Sequence, residues 1–352
     1  MMEYNFFKNK DFSMVSTEVF KKITSVIGSI FLLIIFFLCF EIYIPVNPSS
    51  HETIIYTVQK GWGDEEIADN LKKLGIIRSS YFFKLYDILS FKHASLQAGE
   101  YNLSPKMSIH KIAGMMSRGD VIKERVVIFE GWDIADIGKY LESRDICSQD
   151  YFTSLTKRDY YEEFDFLNDK PRNVGLEGYI FPDTYEIAKG ETCENILHRT
   201  LVNFDEKLTP ELIAEIANDP KGTPKSIFDI ITIASLIEKE VRTLEDKKIV
   251  SGILWKRLSI DMPLQLDSTV NYITGKSDPS VSIKDTKIDS PYNTYKYKGL
   301  PKGPISSPGI NSIIAAIYPT KTNYWYYLSD GKTYFSETLE QHNEARTKYL
   351  GS

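Results

Sequence analysis

Residues Ile230–Val241 read IITIASLIEKEV. Apolar residues at Ile230, Ile233, Ala234 and Ile237 recur at helical spacing, so the segment is a helix with an apolar stripe. The run closes in Glu238, Lys239 and Glu240. A carboxyl on the shoulder of an apolar helix is partly desolvated. Desolvation raises its pKa and keeps its proton near neutral pH, which a general acid requires. Taken alone, the segment reads more simply as a solvated helix end with ordinary charges.

Working outward, the 352-residue chain allows two or three domains, and its 42% hydrophobic content suffices for a real core. The 22 Tyr and 19 Phe suit a sugar cleft, where a ring face stacks on a pyranose, though they serve equally as core and surface filler. A net charge of −6 argues against a general nucleic-acid binder. Cys39 lies in an apolar run, and Cys147 and Cys193 have neither CxxC nor His-partner spacing. No metal site or multiple-disulfide framework is expected.

Ile23–Phe40 carries no charged residue and is long enough to cross a bilayer. Lys21 and Lys22 precede it, Lys8 and Lys10 lie upstream, and Glu41 follows. The positive-inside rule places the short N-terminus in the cytoplasm and the bulk of the chain outside. There is no small-x-small cleavage site near Phe40, so an uncleaved single-pass anchor in the cell (inner) membrane is expected. Pro45, Pro48, Ser49 and Ser50 read as a linker.

An internal echo follows. Val58–Trp62 (VQKGW) precedes Ile67, Leu71 and Ile76, and Val127–Trp132 (VIFEGW) precedes Ile137, Leu141 and Ile146, at the same offsets. Each copy reads as a strand, a glycine turn and an amphipathic helix: Ile54–Val58 with Asp64 as cap, then Arg125–Phe129 with Asp133 as cap. Between them Ser79–Leu89 reads as a helix, Gln97–Leu103 as a strand and Ser108–Met116 as a capped helix. The order from Ile54 to Gly119 resembles a LysM module, a fold that lies on glycans containing N-acetylglucosamine; a ligand-free α+β spacer is the alternative.

Beyond residue 120 the pattern is mixed α+β. Helices are expected at Asn195–Phe204, Pro210–Ile216, Ile227–Glu240, Glu245–Leu258, Asn311–Ile317 and Glu337–Tyr349. A hairpin is expected where Tyr324–Leu328 and Thr333–Ser336 flank Asp330-Gly331. Four segments set polar groups beside aromatics and prolines: LEGYIFPDTYEI (Leu176–Ile187), IASLIEKEV (Ile233–Val241), MPLQLDSTVNY (Met262–Tyr272) and SPYNTYKYKGLPKGPISSPG (Ser290–Gly309). The last is long and irregular, as functional loops often are.

In this order, and with YFSETLEQHN (Tyr334–Asn343), the segments resemble the YceG-like family of endolytic murein transglycosylases over nearly the whole chain after the anchor. Ser268 stands where many relatives carry proline, and Val241 where a small polar residue is frequent. The resemblance implies five regions: a cytoplasmic tail (1–22), a transmembrane helix (23–44), a linker (45–53), a LysM-like module (54–120) and a catalytic domain (121–350). It implies internal cleavage of peptidoglycan glycan strands between N-acetylmuramic acid and N-acetylglucosamine, without water, leaving 1,6-anhydro ends. One glutamate serves as acid and then as base, no metal or cofactor is needed, and cell-wall synthases are partners. A muramidase-type hydrolase and a non-enzymatic glycan-binding scaffold are the rival readings.

In lytic transglycosylases the acid sits near a helix end, which favours Glu240; it also lies beside Ile233, Leu236 and Ile237 on the helix. Glu238 is the alternative. Glu177, Tyr179, Gln265, Asp267, Asn293 and Tyr295 are candidate substrate-binding groups, with Tyr292 a further ring that could stack on sugar. Each has a structural alternative: an ion pair for Glu177, core walls for the tyrosines, turns or caps for the rest. His342 reads as a packed histidine.

Overall fold

The computed structural model describes residues 10–90, 96–218, 225–276 and 281–350. Lys8, part of the expected cytoplasmic tail, lies outside them. The chain divides into two compact α+β units: Met1–Glu124 with Ala188–Gly190, and Arg125–Ile187 with Glu191–Ser352.

The first unit opens with helix α1 (Lys10–Tyr43). Its stretch Val19–Tyr43 is long and apolar enough to cross a membrane. Strand β1 (Ile54–Val58), helices α2 (Asp64–Lys73) and α3 (Ser80–Leu89), strand β2 (Gly99–Leu103) and helix α4 (Ile109–Arg118) follow. The two strands pair antiparallel, with Ile54 opposite Leu103, Tyr56 opposite Tyr101 and Val58 opposite Gly99. Alternation sends Tyr56, Val58, Tyr101 and Leu103 to one face, where they bury against Ile67, Leu71, Phe83 and Ile112. Helix α2 begins one residue away from its expected cap. Gly63 is the N-cap, and the Glu66 carboxylate accepts its N–H at 3.2 Å. Ser108 caps α4 as its hydroxyl promised, accepting from Lys111 N at 3.3 Å.

The second unit repeats the order. Strand β3 (Lys123–Val127), helices α5 (Ile134–Ser143) and α6 (Gln149–Leu155) and strand β4 (Thr184–Ala188) form a second two-stranded sheet, with an irregular insert before β4. The strand starts two residues earlier than the Arg125–Phe129 expected, and Asp133 caps α5. Then come α7 (Cys193–Lys207), α8 (Pro210–Ala217), α9 (Ile227–Glu240), α10 (Leu244–Leu258), α11 (Asp267–Thr274) and α12 (Ile310–Ile317). The hairpin β5 (Tyr326–Ser329) and β6 (Thr333–Ser336) and helix α13 (Leu339–Leu350) close the chain.

Helix α9 is the axis of this unit. It was expected to carry an apolar stripe, but all eight residues from Ile230 to Ile237 are buried, Thr232 and Ser235 included. Helices α8, α10, α11 and α12 surround it. Its N-terminus is held twice. Ser226 and Asp229 form a reciprocal capping box, and the Asp169 carboxylate accepts from Ile227 N and Phe228 N. Its two buried hydroxyls are satisfied locally: Thr232 donates to Phe228 O and Ser235 to Thr232 O.

The sequence sets aside a multiple-disulfide framework and names no single bridge. Cys147, just before α6, and Cys193, the first residue of α7, form a disulfide across 46 residues of sequence. Spacing rules for metal and redox motifs do not anticipate a bridge between residues this far apart. The loop it closes contains Glu177 and the LEGY turn. Cys193→Ser should lower stability by about 3 kcal/mol, seen as a reduced Tm without reductant. An unchanged Tm would show that the bridge contributes nothing.

Candidate active site

Glu238 and Glu240 occupy the last turn of α9, which ends as Val241 turns extended at φ −145°. Two residues along a helix is about 200° around it, so the two carboxyls leave on different sides. Their surroundings differ accordingly.

Glu238 is locked into a buried ion pair. Its Oε1 lies 2.8 Å from Lys247 Nζ, with both side chains under a tenth exposed. Its Oε2 accepts from Gly309 N at 2.9 Å and from Ser312 Oγ at 2.7 Å. This ties α9 to α10 and to the start of α12. Glu130 stands close by, its carboxyl raised by burial and by the charge of Glu238. A Cβ at position 309 would meet the flexible end of the Glu130 side chain, which would have to move aside.

Among the described residues no cation is bonded to Glu240. Ser268 Oγ donates to its Oε1 at 2.7 Å and Tyr327 OH to its Oε2 at 3.0 Å. Burial is the first cause that raises its pKa. The two hydroxyls pull the other way, the charge of Asp267 adds to the rise, and Arg257 opposes it. That guanidinium is committed to backbone: it donates to Trp325 O and Leu264 O. It therefore acts on Glu240 through space, while fixing the hairpin that carries Tyr327.

Several expected residues converge here. Asp267, in the first turn of α11, accepts from Tyr295 OH at 2.5 Å, and both influence or flank the Glu240 pocket. Leu266, not Asp267, is the N-cap position of α11. Gln265 is exposed beside this turn and holds φ at +53°, a left-handed conformation uncommon outside glycine. Its N–H donates to Thr294 O, stitching α11's approach to the Ser290–Gly309 loop.

Others lie elsewhere. Asn293 is buried, and its amide is consumed in holding the loop: Nδ2 donates to Thr286 O and Ile288 O, and Oδ1 accepts from Tyr295 N. Tyr179 has no exposed surface; its ring packs with Phe166 and Phe204 and is a core wall rather than a sugar platform. Tyr292 packs on Tyr272. His342 stacks on Tyr326.

Glu177 is a third buried carboxyl. Its Oε2 accepts from Ile134 N at 3.2 Å and Tyr272 OH at 3.3 Å, and Oε1 has no partner among the described residues. Burial, then the charge of Asp133, push its pKa from 4.5 up to about 8. The turn that carries it needs Gly178: φ is +86°, and a Cβ would press into Pro304 at 2.5 Å. That contact seats the LEGY turn against the PISSPG stretch. Ile305 N in turn donates to Ser235 Oγ, and Ser307 and the Gly131-Trp132 turn exchange backbone bonds of 2.9 and 2.7 Å. The separated sequence segments are thus one assembly around α9.

Ser268, Tyr327, Arg257 and Lys247 escaped the sequence reading as site residues. Ser268 stood out only as a departure from proline, and its hydroxyl is the signal that could have found it. Tyr327 and Lys247 lie in ordinary strand and helix patterns with no local mark. Among the described residues no group of three His, Cys, Asp or Glu has metal-holding geometry.

The YceG-like family model matches residues 56–348. The endolytic murein transglycosylase of Bacillus subtilis (strain 168) is 34% identical over 323 residues, covering 88% of each chain. That of Streptococcus pneumoniae (strain D39) is 29% identical over 340 residues, covering 88% of this chain; the chain spans 60% of that longer relative. The crystal structure of a YceG-like protein from Listeria monocytogenes superposes with a TM-score of 0.57 at 32% identity, over 84% of this chain and 99% of that one. The chain belongs to the YceG-like family. Its class of activity is that of a lytic transglycosylase, a lyase.

Two outcomes follow from the buried carboxyls. Lys247→Met leaves Glu238 charged and buried without its ammonium, and should cost about 3 kcal/mol by urea unfolding; Glu238→Gln combined with it should recover part of that. Glu177 holds its proton in the folded chain at pH values where the unfolded chain has released it. Its contribution to stability therefore falls as pH rises from 4.5 towards 8. Glu177→Gln should flatten this part of the stability profile, measured as Tm against pH, and an unchanged slope would count against the assignment.

Proposed function

We propose that the protein is a membrane-anchored enzyme that cuts peptidoglycan glycan strands internally, between N-acetylmuramic acid and N-acetylglucosamine, with Glu240 as acid and then base. The observation that carries this reading is the setting of Glu240: a desolvated carboxyl, raised in pKa, bonded by two neutral hydroxyls and by no cation. A group so held keeps a proton to give. Glu238, by contrast, is spent as an acceptor for Lys247, Gly309 and Ser312.

In the proposed reaction Glu240 protonates the glycosidic oxygen as the bond from muramic C1 breaks with oxocarbenium character. The resulting carboxylate takes the proton of the muramic C6 hydroxyl, whose oxygen closes on C1. No water is consumed, the acid is regenerated, and the product ends in a 1,6-anhydro ring. Ser268 and Tyr327 steady the carboxylate between the two proton transfers. Asp267 and Tyr295 offer polar groups beside it, and the exposed Gln265 edges the same region.

The remaining regions fit this task. The β-α-α-β order and antiparallel pair of the first unit support a LysM-like module at 54–120 that holds glycan, with the catalytic domain at 121–350. Two observations support an uncleaved anchor at 23–44 with the enzyme outside the cytoplasm. The end of α1 belongs to the folded unit, since Ile42 is buried in its core and Arg78 donates to Ile44 O and Pro45 O. The Cys147–Cys193 bridge suits an oxidising compartment.

The test is digestion of purified glycan strands by the full chain in detergent, with the ends read by mass spectrometry. Anhydro ends are expected; reducing ends would make the protein a hydrolase, and no cleavage a scaffold. Glu240→Gln should lower the rate by at least about 10³-fold. Ser268→Ala removes a donor that lowers the pKa of Glu240, so the alkaline limb of the pH–rate profile should move to higher pH. An unmoved limb would separate Ser268 from the acid.

A further inference from the structure

Helix α3 shows two faces with different fates. Phe83, Tyr86 and Asp87 are buried in the core of the first unit, and Lys84 turns aside to pair with Glu65 at 2.9 Å. The other face carries Tyr81, Phe82, Leu85, Ile88 and Leu89. At 100° per residue these five fall within a sector of roughly 120°. No charge lies among them, and Tyr81, Ile88 and Leu89 are 63%, 57% and 62% exposed. A folded unit seldom leaves an apolar stripe of this kind to water.

The stripe is continuous with the apolar helix α1. Phe82 meets Phe37 edge to face, with ring centroids 5.6 Å apart, and Tyr81 packs on Phe82 at 5.3 Å. Phe37 lies inside the uncharged run, four residues before Glu41. At 1.5 Å per residue that is about 6 Å towards the membrane from the first charge that follows the run. Phe82 can touch Phe37 only at the depth where headgroups give way to acyl chains. Arg78, just before α3, stacks over Phe40 at 4.9 Å and donates to the Ile44 and Pro45 carbonyls that follow α1, as an interfacial arginine does.

We propose that the outer face of α3 is a second membrane contact: it lies in the interface of the bilayer that α1 crosses, with Tyr81, Phe82, Leu85, Ile88 and Leu89 against lipid. This rests on the anchor reading above. The contact is of the in-plane amphipathic kind, and it gives the first unit a second attachment beside α1.

The test uses the full chain with Cys39→Ser in lipid nanodiscs and one environment-sensitive fluorophore per variant. The variants are Ile88→Cys on the stripe, Phe31→Cys in the span and Asn102→Cys on exposed β2. The probe is a lipid mixture bearing nitroxide quenchers both near the headgroup and deep in the acyl chain. Fluorescence should fall by about twofold or more at 88 and at 31, and stay constant at 102. Quenching at 31 with position 88 behaving like 102 would overturn the proposal and leave the anchor standing; this is also what a second copy or a soluble partner on the stripe would give. Loss of quenching at 31 would overturn the anchor reading itself, and this proposal with it.

Discussion

Burial of α9 on every side is the constraint from which the second unit follows. Eight successive residues without solvent leave no ordinary place for a charge until the helix emerges. At its start the emerging N–H groups are met by Ser226 and Asp169, and at its end two glutamates stand at the boundary of the core. The surrounding elements must close against this rod, so a position where they approach it closely falls to glycine, as at 178. Ser235, a polar dent in the rod, receives Ile305 N and thereby registers the long proline-rich loop.

Three glutamates show how surroundings divide one side-chain chemistry into three. Glu238 meets an ammonium and becomes a strut between helices. Glu177 meets a helix N-terminus and a phenol, keeps one oxygen bare, and holds its proton well into the neutral range. Glu240 meets two hydroxyls, each able to follow a carboxyl through loss and recovery of a proton. Residue type alone would not distinguish them; the partner on each oxygen does.

The fold was largely legible because its elements obey local rules. The alternation in Ile54–Val58, the Ser108 cap, the Asp330-Gly331 turn and the run Ile227–Glu240 each specify their structure within a few residues. What the sequence left open was decided by distant contacts. The stripe on α9 understated its burial because the Ile305-Ser306 stretch from later in the chain covers its polar Ser235. Cys147 and Cys193 pair because α6 and α7 pack, which no spacing encodes. At the site, carboxyls and tyrosines could be named as candidates, but not sorted. Tyr179 and Asn293 carry suitable chemistry and are both absorbed by the interior, whereas Tyr327 arrives from a hairpin 87 residues beyond Glu240.

The absence of a bonded cation at Glu240 has a consequence for the medium in which such a carboxyl can work. An acid tuned by an ion pair drifts as mobile ions screen its partner, most strongly where that partner faces solvent. An acid tuned first by exclusion of water does not, because salt cannot enter to restore hydration. Where ionic strength fluctuates, the proton affinity of Glu240 stays first a property of the fold.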